Sequence, residues 1–493
     1  MQNTSRLANR QQEESRDELL SAPVPGGHGV TAARTLLRGG QIVSMDPTIG
    51  DLVGDVLVED GTIAAIGPDL AVAEGSADIV DASRHIVIPG FIDSHRHLFQ
   101  ALMRGMATDW SLFQYFTTMF GMLGPRMTAE HMSLGTALGA YDALDSGVTT
   151  VFDYSHNQSS PEHTDEAVRA LRASGIRAMF GYGGAMSEQL EILSPPFTST
   201  TPSNEAEIRR VRHQYFSSDS GLVTMGLAVR GPDSSTMDVV RADFALGREL
   251  GLRINTHIGM AVLDPLGRPN VTRLHKEGLL GDDLIFGHCN LLTEDEFRLM
   301  ADAGVSASVT PEDEAAMGHG WPPITQLLQA GIRPNIGIDT CMAVGGDPFT
   351  AMRFALAVPR GLANQRALED SLNPWQLDIS ARDVLEFATI EGARALGMGD
   401  VTGSLTPGKQ ADIVMIRTDH ISMVPVLDPV ASIVHHASRG TVDNVFVAGR
   451  AVKRDGALIG VDVAELSRRA ADTAIGLLET AGVTPGWAPP PPH

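Results

Sequence analysis

Eight short apolar runs rich in β-branched residues recur through the middle of the chain, at about 88–93, 147–153, 176–182, 222–229, 253–257, 284–288, 305–310 and 335–339. Helical patterns lie between them, among them TAEHMSLGTALGAYDAL, HTDEAVRALRASG and TEDEFRLMADAG. Strands that alternate with helices pair in parallel, because each crossover returns the chain to the same end of the sheet. Eight such units predict an α/β fold, a closed (β/α)8 TIM-type barrel rather than an open doubly wound sheet. No sequence repeat of solenoid length interrupts this reading.

The flanks have a different texture. Residues 33–88 contain RTLLRGGQIVSMDPTIGDLVGDVLVEDGTIAAIG, and residues 401–460 contain GSLTPGKQADIVMIR and VDNVFVAGRAVKRDGALIGVD. Both are short strands broken by Asp-Gly and Gly-Arg turns, and each is too small and open-edged to stand alone. They are expected to pair into a small β-sandwich domain built from N- and C-terminal segments. The chain then divides into a poorly ordered leader (1–29), an N-terminal sandwich segment (30–88), the barrel (89–398), a C-terminal sandwich segment (399–460), and a C-terminal helix with a Pro-rich tail (461–493).

Composition narrows the partners. The formal net charge of −23 argues against nucleic acid and anionic membrane, and points to a small neutral or cationic molecule. Only Cys289 and Cys341 occur, so no disulfide framework is implied and a cytoplasmic setting fits. Residues 1–29 lack the basic start and apolar core of a signal peptide.

In a barrel of this kind the chemistry gathers at the C-terminal ends of the strands. Those ends carry a short set of residues. The first run leads into GFIDSHRHLFQ, where His95 and His97 alternate on one side of an extended chain. The fifth ends in His257, the sixth in His288 and the eighth in Asp339. Singly, each has a bland reading: a core histidine, a strand-end cap, a helix N-cap. Together, four imidazoles and a carboxylate at one mouth suit zinc, with iron or manganese as alternatives. A bound ion would lower the pKa of its water to about 7, and Asp339 would take and return the proton.

PGFIDSHRHLFQ, the lone histidine of the fifth run, GHCNLLTEDE, GIDT and the return GSLTPGKQADIVMI resemble the amidohydrolase superfamily, over about residues 33–460. More narrowly they resemble its atrazine/triazine hydrolase and cytosine deaminase-like branch. The resemblance implies a metal-dependent barrel embraced by a β-sandwich. It makes His95, His97, His257 and Asp339 the metal ligands, with His288 beside the metal, and it implies a homo-oligomer, dimer or tetramer.

The chain departs from that branch in two places. Many members carry a Glu three residues after the histidine of strand five, where this chain has Met260. Conversely, strand seven runs into VTPEDEAAMGHGWPP, which with DYSHNQSSPEHTDEAV is similar to the molinate and phenylurea hydrolases. Glu312 is the candidate to replace the missing acid, or else it caps the next helix. The three lysines, Lys276, Lys409 and Lys453, all avoid the predicted strand ends. Two-metal members commonly bridge their ions with a strand-four lysine, so one divalent ion per subunit is expected. Gln100, Trp110, His156, His319 and Trp321 are the candidate substrate contacts; Asn157, Phe113 and Phe116 are read as pocket or packing residues.

The resulting expectation is a mononuclear metal-dependent hydrolase that cleaves a C–N bond of amide, urea or carbamate type by attack of metal-bound hydroxide. Asp339 serves as general base and acid, while His288 and Glu312 assist. The alternative is a deaminase of a cytosine-, triazine- or guanine-like amino-heterocycle. A metal-dependent lyase or isomerase, or an inactive scaffold, stands behind both.

Overall fold

The computed structural model describes residues 34–186, 198–260, 267–484 and 486. The leader at 1–29 and the Pro-rich tail lie outside these residues.

The N-terminal flank forms β1 (Thr35–Val43), β2 (Asp51–Glu59), β3 (Thr62–Gly67), β4 (Asp78–Asp81) and β5 (His85–Pro89). The barrel follows as β6 (Phe91–Arg96), β7 (Val148–Gln158), β8 (Arg177–Gly184), β9 (Val223–Val229), β10 (Ile254–Ile258), β11 (Leu284–His288), β12 (Ser306–Val309) and β13 (Asn335–Ile336). The C-terminal flank adds β14 (Ile413–Arg417), β15 (Val442–Val447), β16 (Arg450–Arg454) and β17 (Ala457–Leu458), then a helix at Val463–Ala481.

β6 to β13 are hydrogen-bonded side by side in chain order, all in parallel. The ring closes where the backbone of Asp339 meets that of the first barrel strand. The amide of Asp339 donates to the His95 carbonyl, and the amide of His97 donates to the Asp339 carbonyl, both at 2.9 Å. Phe152, Phe180 and Phe286 are fully buried in this body. Its helices begin and end where their sequences say they should. Thr293 and Glu296 form a reciprocal capping box, and Gly175 and Gly304 take the left-handed conformation just past helix ends.

The two flanks join in one nine-stranded mixed sheet, with β5 antiparallel to β14 at the seam. Three hairpins turn on Asp60-Gly61, Ala448-Gly449 and Asp455-Gly456, each pair with positive φ at both residues, as a type I′ turn requires. The sequence reading extends one run across 88–93, but the structure splits it. His85–Pro89 serves the mixed sheet, and the barrel strand starts at Phe91. Gly90 marks the switch, because a Cβ there would lie 1.9 Å from Thr149 Oγ1. Sheet and barrel are also tied by charge: the buried Arg177 of β8 grips Asp412 with Nε at 2.7 Å and Nη2 at 3.0 Å. Among the described residues no helix is long and apolar enough to cross a membrane.

Candidate active site

The barrel brings all five strand-end residues together. His95 is fully buried, with its ring centroid 5.3 Å from that of His97, 4.9 Å from His257 and 5.4 Å from His288. One ring nitrogen each from His95, His97 and His257 cluster together, as do a nitrogen each from His95 and His288 with a carboxylate oxygen of Asp339, the atoms of each group lying within 4.8 Å of one another. His288 and Asp339 have φ of 71° and 69°, a left-handed backbone that non-glycine residues seldom adopt. Strained backbone at two strand ends fits a site whose side chains must be aimed inward.

The hydrogen bonds show how these atoms are oriented. His97 Nδ1 donates to the Tyr154 carbonyl at 2.8 Å, so in the neutral ring its Nε2 carries a lone pair. That nitrogen faces Asp339 Oδ1 at 3.2 Å. His288 Nδ1 lies 3.3 Å from Glu314 Oε1 and 3.2 Å from Thr310 Oγ1, and its Nε2 faces Asp339 Oδ2 at 3.4 Å. Across the site, His95 Nε2 and His257 Nε2 are 3.1 Å apart. At His97 and Asp339 acceptor thus faces acceptor in a buried space, which is the arrangement a cation resolves. His95, His97, His257 and Asp339 therefore fit a divalent ion, with His288 adjacent. Burial holds His95 and His257 well below the ordinary imidazole pKa, which leaves them the neutral ligands that a metal needs. Burial opposes the ionised form of Asp339, yet His97 and the other imidazoles around it outweigh burial and hold it well below the usual carboxylate range. Burial also opposes the charged form of His288, but Glu314 and Asp339 outweigh it and raise its pKa.

Above this centre opens a cavity of about 590 Å³, counting the open solvent at its mouth. Tyr115, Phe116, Phe120 and Tyr154 give it aromatic walls, with Leu112, Met260 and Met317 between them. Its polar lining comes from His156, Arg230, Ser234, Asp313, His319 and Thr340, besides His97, His257, His288 and Asp339.

The candidate substrate contacts divide. His156 and His319 line the cavity. Gln100 does not; it sits behind the wall and donates to the Tyr115 hydroxyl at 2.7 Å. Trp110 is buried away from the cavity, Phe113 is partly exposed, and Asn157 braces the Gly124 carbonyl and the Met186 amide. Trp321 is 58% exposed and borders a separate shallow groove with Arg353 and Phe354, because Gly318 and Gly320 turn the chain outward. Glu312 also misses the cavity and leans on the Gly345 backbone. The helix Pro311–Met317 explains this: Asp313 and Met317, four residues apart, share its inner face, while Glu312 is rotated about 100° away. Asp313, Arg230 and Ser234 were not anticipated from sequence. Arg230 directly follows β9, so the strand-end rule that found the histidines also reaches it.

Close packing supports the ligand strand. A Cβ at Gly337 would lie 2.7 Å from the His95 carbonyl oxygen and 2.8 Å from its Cβ. Gly337→Ala is therefore expected to lower stability by about 1–3 kcal/mol and to reduce retained metal. Urea denaturation and elemental analysis of the purified variant check this, and wild-type values in both would show that the contact relaxes freely.

A parallel eight-stranded barrel with buried imidazoles and a carboxylate at its strand ends defines a barrel hydrolase with a candidate metal centre. The chain belongs to the amidohydrolase family, whose model matches residues 86–452. It is a hydrolase acting on carbon–nitrogen bonds other than peptide bonds. It is 30% identical over 460 residues to a 5-methylthioadenosine/S-adenosylhomocysteine deaminase of Symbiobacterium thermophilum, covering 90% of this chain and 99% of that one. A 5′-deoxyadenosine deaminase of Methanothermobacter thermautotrophicus is 28% identical, with 86% and 95% covered. Among solved structures, an adenosine deaminase from Xanthomonas campestris with bound zinc superposes with a TM-score of 0.76 at 26% identity, over 91% and 99% of the chains. Atrazine chlorohydrolase from Arthrobacter aurescens, complexed with zinc, shares the fold with a TM-score of 0.78 at 22% identity, over 89% and 100%. The likeness to triazine hydrolases therefore holds at the level of fold. The sequence relatives are adenosine-type deaminases, which corrects the narrower likeness to molinate and phenylurea hydrolases.

Proposed function

We propose that this chain is a metal-dependent aminohydrolase that replaces the exocyclic amino group of a flat, adenine-like heterocycle with oxygen and releases ammonia. One observation carries the reading: the buried imidazole–carboxylate centre forms the floor of a cavity walled by Tyr115, Phe116 and Phe120. Aromatic walls suit a planar ring laid over a reactive centre. The deaminase names of the relatives support the same substrate class.

A divalent ion held by His95, His97, His257 and Asp339 would supply Lewis acidity and bring the pKa of a coordinated water to about 7. Asp339, an ionised carboxylate facing His97 and His288, accepts the proton of the attacking water and delivers it to the departing nitrogen. His288, oriented from behind by Glu314 and Thr310, presents Nε2 to the negative charge that builds on oxygen. The aromatic walls exclude water and hold the ring. We assign one ion per subunit, since the end of β9 carries Arg230 where a bridging lysine would be needed.

A second reading, hydrolysis of an amide or urea, is favoured by Met260. It lines the cavity where its thioether can neither donate nor accept a proton in the reaction. Enzyme reconstituted with zinc, manganese or iron and incubated with 5′-methylthioadenosine, S-adenosylhomocysteine, phenylureas and anilides decides between them by mass spectrometry. Exchange of NH₂ for OH with ammonia release is the expected result; splitting into an amine and an acid fragment would overturn the first reading in favour of the second.

A further inference from the structure

The cavity has a polar pole apart from the metal-ligand set. Asp313 and His319 line it at 1% and 4% exposure, with Asp313 Oδ2 3.3 Å from His319 Nε2. Beyond that approach, Asp313 Oδ1 and both ring nitrogens of His319 lack a well-formed hydrogen bond among the described residues. A buried carboxyl and imidazole left this way are built for a partner that arrives from outside. The neighbouring carboxylates do not line the cavity: Glu314 reaches His288 and the Thr310 amide through Oε1, and Glu312 turns to Gly345. The His319 ring packs on His288 with centroids 4.7 Å apart, so this pole stands beside the reacting centre.

The chemistry requires such a group. Hydrolytic deamination of an amidine-like ring moves two protons, and Asp339 accounts for the one leaving water. The ring nitrogen beside the attacked carbon must gain another, and Met260 has none to give. We propose that Asp313 is the catalytic acid that protonates this ring nitrogen, with His319 as the positioning residue that holds the carboxyl and the ring edge. The assignment rests on the aminohydrolase reading and deepens it. As water oxygen bonds to carbon, the C=N π pair moves to nitrogen and takes the Asp313 proton, leaving a carboxylate. The C–N bond to the exocyclic amine then breaks, with Asp339 supplying the third proton of ammonia. The new C–OH becomes C=O by returning its proton to Asp313, so water and substrate balance product and ammonia. Burial, aided by Asp339 and Glu314, keeps the Asp313 carboxyl well above its ordinary pKa, and burial takes His319 down to about 3, which agrees with a protonated acid beside a neutral ring.

The test uses metal-loaded full-length protein and 5′-methylthioadenosine. Asp313→Asn, which keeps the shape, is expected to lower kcat about 100-fold or more, with KM, metal content and melting temperature close to wild type. His319→Gln is expected to raise KM as well as lower kcat. A kcat for Asp313→Asn within about threefold of wild type overturns the proposal. If wild type releases no ammonia but splits a phenylurea, the aminohydrolase reading fails alone. Asp313→Asn is then measured on the phenylurea, where the proton goes to the departing aniline, with the same thresholds. Calorimetric titration with adenine gives a readout without turnover: Asp313→Ala is expected to bind about tenfold more weakly than wild type, and equal affinities overturn the proposal.

Discussion

Asp339→Asn is expected to lower kcat by about 10²–10⁴-fold while the barrel remains folded. The fold should survive because the residue's structural duties belong to its backbone, whose amide and carbonyl close the barrel against His95 and His97. The side chain is different. Its two oxygens face His97 Nε2 at 3.2 Å and His288 Nε2 at 3.4 Å, and an amide would place an NH₂ against one of these nitrogens. It would also remove the carboxylate proposed to accept a proton from water. Steady-state kinetics with elemental analysis separates the two duties. Metal kept with kcat lost means that proton transfer was the main role, and metal lost with kcat means that ligation was. Wild-type turnover with metal bound would remove Asp339 from the mechanism altogether.

The site was legible where strand chemistry decided it. His95, His97, His257, His288 and Asp339 could be read because each sits at the end of a run whose β character is local, and a closed barrel sends all such ends to one mouth. The lining was less legible, because it depends on which face of a short helix or loop turns inward. Glu312 was the candidate because an acid is missing at Met260, whereas on the helix begun by Pro311 the same letters place Asp313 and Met317 toward the cavity. Trp321 looked like a wall residue by proximity in sequence, yet two glycines at positive φ carry it to the surface. Gln100 acts one layer back, through the Tyr115 hydroxyl. Contacts of that kind carry no sequence period and emerge only from packing. In the flanks, by contrast, Asp-Gly pairs announced their hairpins, because few other residues accept positive φ twice in succession.

Arg96→Met is expected to cost about 3–5 kcal/mol of stability and to weaken metal binding as well. Arg96 stands between two candidate ligands, and since alternate residues of a strand point to opposite faces, its side chain leaves the barrel interior while His95 and His97 enter it. Its guanidinium is 1% exposed and bonds Asp142 Oδ2 at 2.6 Å, the Gly346 carbonyl at 3.2 Å, Cys341 Sγ at 3.0 Å and Asp93 Oδ2 at 3.4 Å. Methionine fills the volume and satisfies none of these. Asp142 keeps Arg104 and Arg439, so its charge stays partly compensated and the loss should fall near the lower end of the range. Asp93 loses its only ion-pair partner among the described residues. Burial already lifts its pKa to about 6 despite Arg96, so in the variant it should become protonated near neutral pH. That change reaches the candidate metal site, because Asp93 Oδ1 accepts from the amides of Ile338 and His95 at 3.1 and 3.3 Å. Outer groups that orient ligands typically contribute about 10–100-fold in metal affinity, and a loss of about tenfold is expected here. Urea denaturation and competition with a chelator measure the two effects on the same preparation. Stability lost with metal affinity intact would mean that Arg96 holds the barrel wall without aiming His95 and His97, since those ligands would keep their positions after the guanidinium is gone.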